Sequence, residues 1–440
     1  MFSLAQNYLT RSFWGDEAWT SLISQLPYGQ MLKTTAADFH PPGFYTVVEL
    51  VYKVLPPAEI VTRSISIVFY LLTAYMVFKL ATEIRGKPFG LLSAVLVALN
   101  PIFFRYAFEA RNYTMFAFAI TASMYFLIKL SKKFDLKSAI PFVLFTTLGL
   151  YTHYYMFFIL AAQGLYLILF DRKIFLKMTA AYVAVGILFG FWIPFLLGQL
   201  QSAGGSYWIS PIDWQNTHFD AFRRILGGER DNYYQLYLYR FSVLLCLIGL
   251  VQHIWKRGFE KPYLLIWLWA IVPFVLATLP GLAIDGFKVP FRPIFFWRYL
   301  IPAAVPLSII LAFATVKLPK YLYLASIVIV IGAASFIDYN TFFSSPANFK
   351  QIYSEIIMPN IRPSDKIVTI LPSFAEVLYY RNRNGLKNDL IVLPEGLVQY
   401  SGKSLLDAYA AGGAVKIADR PAGRYWELKP GPSVELRTSK

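Results

Sequence analysis

Long apolar runs alternate with short polar breaks through most of this chain. A membrane-spanning helix needs about 20 mostly apolar residues. Ten stretches have that character, at roughly 61–80, 88–104, 112–130, 138–152, 154–170, 175–198, 238–254, 263–280, 297–314 and 320–338. The fourth and fifth are short and separated by Thr152-His153-Tyr154, so pattern alone also fits one long helix. Ahead of them, Pro41 to Pro56 is a further apolar stretch whose length and proline ends fit a helix lying at the interface. Beyond residue 340 the apolar runs shorten to Lys366–Leu371 and Leu390–Leu393, with a helical pattern over Phe374–Tyr380 between them. Pro, Gly and charges separate these pieces, which predicts a small α/β domain outside the membrane. There is no internal repeat.

Charge decides between one helix and two at 138–170. The loops after spans one, three, five, seven and nine carry Arg85 and Lys87; Lys132, Lys133 and Lys137; Arg172 and Lys173; Lys256, Arg257 and Lys261; Lys317 and Lys320. Keeping two spans puts every basic loop on one side, which the positive-inside rule makes cytoplasmic. The opposite face then holds residues 1–60, 105–111, 152–154, 199–237, 281–296 and the C-terminal tail. The expected architecture is an α-helical polytopic membrane protein of about ten spans plus an interfacial helix. It divides into an outward first loop (1–60), a multispanning domain (61–340) and an extracytoplasmic α/β domain (341–440).

Composition agrees with lipid as solvent: 57% of the 440 residues are hydrophobic and only 15% charged, against ~25% charged in soluble domains. The net charge of +16 would raise nucleic acid for a soluble protein. Here cytoplasmic loops account for it, with anionic headgroups or phosphates as the second reading. Cys246 is the only cysteine, so no disulfide and no cysteine-based zinc site forms within one chain. Met1 to Trp14 carries no apolar core of the kind a signal peptide needs.

Several chemistries lack their motifs. There is no Walker loop, no His-Glu-x-x-His helix, no Gly-x-Ser-x-Gly elbow and no Asp-x-Asp pair to hold a metal and a nucleotide sugar. The outward loops, in contrast, concentrate unusual groups. Asp16 and Glu17 lie between Trp14 and Trp19, which suits either a helix start or a reactive acid pair. His40 precedes Pro41-Pro42 at the start of an apolar helix, and as a single histidine it is no metal site. Arg63 begins the first span, placed equally to snorkel to headgroups or to bind a lipid phosphate. Glu109 and Arg111 occupy a short loop with Tyr113; two residues apart, they do not face each other on a helix, so each needs another partner. Ionisable groups at membrane depth are functional candidates. His153 in the tight turn and Arg298 in Trp297-Arg298-Tyr299 complete the set, although aromatic belts alone explain their tyrosine and tryptophan neighbours.

Trp14-Gly15-Asp16-Glu17-Ala18, His40-Pro41-Pro42, Arg63 and Glu109-Ala110-Arg111-Asn112-Tyr113, in that order and on one face, resemble the protein O-mannosyltransferase and aminoarabinose-transferase superfamily of GT-C glycosyltransferases. The motifs cover about residues 13–155, and the span pattern extends the resemblance to about 340. The resemblance implies an outward active site in a bacterial-type inner membrane and a polyprenyl-phosphate-sugar donor. It implies Asp16 as general base, Glu17 as its supporting acid, Glu109 as the acid of the second loop, and Arg63 and Arg111 as phosphate or pocket contacts. Members begin with a spanning helix ahead of the Asp-Glu loop. Only fifteen residues precede Asp16 here, so a helix upstream of Met1 is expected.

A lipid-linked donor suits the outer face, where nucleotide sugars are absent. The anionic leaving phosphate needs positive charge, from Arg63, Arg111 or Arg298. The incoming hydroxyl, on a lipid, glycan or protein, needs a base, Asp16. A single displacement inverts the anomeric carbon. A divalent cation bridging carboxylates and phosphate is compatible with these residues but not demanded by them. The rival readings are a transporter or flippase of lipid-linked sugars, which favours inverted repeats and polar groups at the midplane, and an inactive scaffold.

Overall fold

The computed structural model describes residues 7–202, 209, 212–213, 217–230, 232–255, 261–281, 283–284, 287–288, 293–344, 348–395 and 402–439. Lys256 and Arg257, two of the basic loop residues, lie outside them. Three short helices open the chain: α1 (Gly15–Ile23), α2 (Tyr28–Ala36) and α3 (Gly43–Tyr52). The bundle follows as α4 (Glu59–Arg85), α5 (Lys87–Ala98), α6 (Pro101–Ala107), α7 (Tyr113–Lys132), α8 (Leu136–Thr152), α9 (Met156–Phe170), α10 (Arg172–Gly190) and α11 (Ile193–Ser202). After these come α12 (Thr217–Gly227), α13 (Tyr233–Trp255), α14 (Lys261–Thr278), a 3-10 stretch Trp297–Ala303 leading into α15 (Ala304–Val316), and α16 (Lys320–Phe342).

Each of the ten predicted spans corresponds to helix here. Among the described residues seven helices are long and apolar enough to cross a membrane, and the α5–α6 pair makes an eighth, bent by 67°. The bend has a local cause. Pro101 cannot donate to the preceding turn, and the Asn100 side chain instead caps the new helix by accepting from the Phe103 N–H at 3.2 Å. The remaining two, α8 and α9, have 17 and 15 residues, about 25 and 22 Å at 1.5 Å per residue. They meet at His153–Tyr155, so the chain turns back there instead of continuing as one helix.

Three of the basic turns, those at Arg85, Lys132 and Lys317, meet at one end of the bundle. Lys132 reaches Glu83 at 2.9 Å, and Arg85 and Lys317 both lie over the Phe313 ring. The predicted interfacial helix is α3, which lies tight against the far end of α8: a Cβ on Gly43 would stand 2.5 Å from the Tyr151 carbonyl oxygen.

The C-terminal part is an α/β sheet domain. Its strands are β1 (Lys366–Thr369), β2 (Leu390–Val392), β3 (Lys416–Ile417), β4 (Gly423–Lys429) and β5 (Ser433–Ser439), in spatial order β3-β2-β1-β4-β5. The first four are mutually parallel, with α17 (Leu371–Arg383) crossing between β1 and β2 and α18 (Lys403–Ala411) between β2 and β3. The edge strand β5 is antiparallel to β4 and returns through a turn at Gly431, whose φ of 77° suits glycine.

One apolar cluster runs from the opening helices into this domain, joining Phe13, Leu22, Phe44 and Tyr45 to Phe374, Val377 and Leu378. Burying such a side chain contributes roughly 1.5–3 kcal/mol, so α17 and α1 act as one unit. Polar contacts fix their register. The Phe13 N–H donates to the Tyr380 hydroxyl at 2.8 Å, that hydroxyl donates to Glu59 at 2.9 Å, and Tyr409 donates to the Leu22 carbonyl at 3.0 Å.

Candidate active site

A cavity of about 390 Å³ opens where α1, the residues before α3, the turn before α7, the 3-10 stretch and α17 converge. Of the nine residues singled out in the sequence, Asp16, His40, Arg111, Tyr113 and Arg298 line it. Glu17, Arg63, Glu109 and His153 do not, and each has a different surrounding.

Glu17 and Arg63 form a closed structural clip. Arg63 Nε and Nη2 donate to Glu17 at 2.8 and 2.6 Å, Nη1 donates to the carbonyls of Leu9 and Arg11 at 2.8 and 2.7 Å, and Nη2 also donates to Ser12 at 3.0 Å. A guanidinium has five N–H donors, and all five are engaged. Both side chains are fully buried. The expectation that Arg63 contacts a donor phosphate is corrected: no donor is left to offer. Glu17 also accepts from the Ala110 N–H at 2.9 Å and reaches back to the Trp14 N–H at 3.4 Å. Burial alone would push its carboxyl up, but the charge and hydrogen bonds of Arg63 outweigh that and hold it below the ordinary value of 4.5. The clip therefore ties the first turn of α1, residues 9–12, α4 and the 109–111 turn together, and it fixes the adjacent Asp16 on the cavity side.

Asp16 is the exposed member of the acid pair, with 41% of its side chain accessible. Arg111 Nη2 and Arg298 Nη1 approach the same carboxylate oxygen, Oδ2, at 3.8 and 4.0 Å. These are loose contacts. Arg111 Nε and Arg298 Nε have no hydrogen-bond partner among the described residues, in contrast to Arg63. Arg298 is held by packing, its guanidinium 5.0 Å from the Trp14 ring. Arg111 is steadied by the Asp16 carbonyl and Thr20 hydroxyl at 3.5 and 3.4 Å.

Glu109 lies behind this wall. It accepts from Tyr8 at 3.2 Å and pairs with Arg11 at 3.3 Å and, more distantly, Arg105 at 3.9 Å. Burial raises its carboxyl above the ordinary range despite both arginines. The expectation that Glu109 and Arg111 serve separate partners holds: one turns inward, the other to the cavity.

His153 is buried behind His40 and Tyr299, with ring separations of 6.4 and 4.7 Å, and stacks on Phe116 at 5.1 Å. Its Nδ1 accepts from the Tyr155 N–H at 3.1 Å. Burial first, then the nearby His40 and Arg111, depress its pKa well below the usual histidine value. It is a neutral packing group behind the cavity wall. His40 pairs with Asp38 at 3.3 Å.

Asp38 and Tyr45, from the same outward stretch as His40, also line the cavity, whereas Glu376, on α17 of the sheet domain, is not among the residues singled out in the sequence. Glu376 had a signal: it is the lone acid in the apolar run Phe374–Tyr380. Among the described residues no three His, Cys, Asp or Glu are grouped to hold a metal ion.

The arrangement is a carboxylate facing two cations with unspent donors, walled by aromatic rings, at the end of a membrane bundle. Residues 39–197 match the family model of dolichyl-phosphate-mannose-protein mannosyltransferases. Among solved structures, ArnT from Cupriavidus metallidurans is similar over 96% of this chain and 90% of its own, at 11% identity and a TM-score of 0.66 in the apo state. Bound to undecaprenyl phosphate, ArnT gives 12% identity and a TM-score of 0.63 over the same shares. The Archaeoglobus fulgidus oligosaccharyltransferase is similar over 98% of this chain and 70% of its own, at 12% identity and a TM-score of 0.54. No curated protein matches the chain. The family match covers residues 39–197, and the likeness to the solved structures is one of fold over nearly the whole chain.

Proposed function

We propose that this chain transfers a sugar from a polyprenyl-phosphate carrier to an acceptor hydroxyl on the outer face of the membrane, with inversion at the anomeric carbon. The observation that carries this reading is the pair Arg111 and Arg298, aimed at Asp16 with Nε donors unspent among the described residues. A donor phosphate would draw both arginines to itself, since charge-assisted contacts to phosphate oxygens are strong. Asp16 is then released to take the proton of the incoming hydroxyl, while the arginines stabilise charge on the departing phosphate. The hydroxyl oxygen forms the new bond to the anomeric carbon as that carbon's bond to the phosphate oxygen breaks. His40 and Tyr113 border the sugar; Glu17, Glu109 and His153 hold the wall in place. The ArnT structure with undecaprenyl phosphate supports a lipid-linked donor by fold similarity. The outward orientation rests on three basic turns, at Arg85, Lys132 and Lys317, meeting at the opposite end of the bundle, which leaves the sheet domain extracytoplasmic.

The test uses membranes containing the chain, supplied with radiolabelled undecaprenyl-phosphate hexoses. Loss of label from the lipid in wild type but not in Asp16→Asn is the expected result. A product with retained anomeric configuration would sink the single displacement. Movement of intact labelled lipid between leaflets, with no donor consumed, would replace transferase by flippase.

A further inference from the structure

Glu376 sits on α17, in the sheet domain, yet it lines the same cavity as Asp16. Its carboxyl stands against the first turn of α1: a Cβ on Gly15 would meet Glu376 Oε1 at 3.5 Å. The other oxygen, Oε2, is buried and has no hydrogen-bond partner among the described residues. Buried polar atoms in folded proteins are almost always satisfied, and an exception needs an explanation. The cavity supplies one. Its cationic side is Arg111 and Arg298, where an anionic phosphate belongs. Its acidic side is Asp16 and Glu376, which repel a phosphate and accept hydrogen bonds from neutral hydroxyls.

We propose that Glu376 contacts a sugar hydroxyl in this cavity, so that the sheet domain supplies part of the transfer site; this rests on the glycosyltransferase reading above. The hydroxyl belongs either to the sugar being transferred or to a glycan acceptor. The contact also explains why α17 is locked to α1 by the Tyr380 and Phe13 hydrogen bond, since a loose domain could not hold a carboxyl in register.

Burial, with Asp16 nearby, lifts the Glu376 carboxyl to about 7, while the backbone amides of Glu376 itself and Gly15 pull the other way. The charged and titratable groups facing it across the cavity are Asp16, Asp38, His40, Arg111 and Arg298, with the hydroxyls of Tyr45, Tyr113 and Tyr299 between them. An ionised Glu376 accepts a stronger hydrogen bond from a hydroxyl than the acid form does. Sugar-dependent affinity therefore rises as pH rises through 7.

The experiment is carboxyl footprinting of the full chain in detergent with a water-soluble carbodiimide, read by peptide mass spectrometry at Asp16 and Glu376. Probes are undecaprenyl phosphate, undecaprenyl-phosphate hexose and a methyl hexoside. Strong protection of Glu376 by the hexose-bearing lipid, absent with undecaprenyl phosphate, assigns the contact to the donor sugar. Protection by the methyl hexoside alone assigns it to the acceptor. Equal protection by undecaprenyl phosphate overturns the proposal, because then the domain merely closes over the lipid. So does protection of Asp16 without Glu376, which leaves the glycosyltransferase reading intact. Protection of neither, with no donor consumed by wild type, overturns both. In parallel, Glu376→Ala lowers donor turnover about ten- to a hundredfold, as expected for a lost hydrogen bond to a charged group. Glu376→Gln, which keeps the shape, loses the inflection near pH 7; a retained inflection assigns it to another group and counts against the proposal.

Discussion

Replacing Arg63 by Met separates a structural arginine from a phosphate-binding one. The change removes two donors to Glu17 and three to the carbonyls of Leu9, Arg11 and Ser12. Glu17 keeps only the Ala110 and Trp14 amides, at 2.9 and 3.4 Å, and remains fully buried. Breaking a buried pair by removing one partner costs about 3–5 kcal/mol, because the remaining charge is uncompensated. Removing both should be far milder, so Glu17→Leu with Arg63→Met recovers most of the loss, with a coupling of about 0.5–3 kcal/mol or more in a double-mutant cycle. The pH dependence has a defined sign. The folded-state carboxyl of Glu17 is held below 4.5, so the clip's stabilisation is complete above that value and is lost as pH falls through the folded pKa. The assay is thermal unfolding in detergent followed by tryptophan fluorescence, with undecaprenyl phosphate binding measured on the folded fraction. An Arg63→Met chain that unfolds like wild type yet no longer binds undecaprenyl phosphate would refute the clip and restore Arg63 as a phosphate contact.

Other substitutions test the remaining walls. Asp16→Asn should lower donor turnover by about 10²- to 10⁴-fold, the range for a lost general base, with undecaprenyl phosphate binding retained. Arg298→Met should lower turnover about a hundredfold, as for loss of one preorganised donor to developing charge, measured by initial rates at saturating donor. His153 is neutral in the folded chain and its pKa is depressed by burial, so it contributes stability above 6.5 that falls away as pH drops below that value. The difference in unfolding temperature between wild type and His153→Phe should therefore vary between pH 7.5 and 5; a constant difference would count against it. Gly43→Ala should cost about 1–3 kcal/mol by overpacking, because its Cβ would press on the Tyr151 carbonyl oxygen at 2.5 Å, and unfolding curves read that directly.

Much of the bundle is legible in the sequence because apolar runs and basic turns are one-dimensional signals. The ten runs and the sidedness of Lys132 and Lys317 follow from composition along the chain, and so does the turn at His153. The kink at Asn100-Pro101 leaves no such mark, since a short cap-and-proline break keeps the run apolar. The site is legible only in part. Asp16, Arg111 and Arg298 stand out as charges in outward loops. Arg63 stands out for the same reason, and nothing local distinguishes it from them. What separates them is tertiary: three carbonyls from residues 9–12 and one carboxylate converge on Arg63, while Arg111 and Arg298 keep an Nε unspent among the described residues. Glu376 lies more than 350 residues from Asp16 in sequence, and its place in the cavity depends on how α17 docks on α1.

Four carboxyl groups in and around this cavity illustrate how surroundings divide labour among identical chemistry. Glu17, saturated by Arg63 and the Ala110 amide, is held ionised and inert, and its use is to fix a helix turn. Glu109, buried with one oxygen unpartnered among the described residues, is pushed toward the neutral form and braces Arg11 and Tyr8. Glu376, on the acidic side of the cavity, is lifted to about 7 and is poised between donor and acceptor. Only Asp16 is both accessible and loosely held, between two cations that a phosphate would compete for. A base must be free when its substrate arrives and restrained when it is absent. Of the four, Asp16 alone meets both conditions, because its restraint is made by the same arginines that the donor would engage.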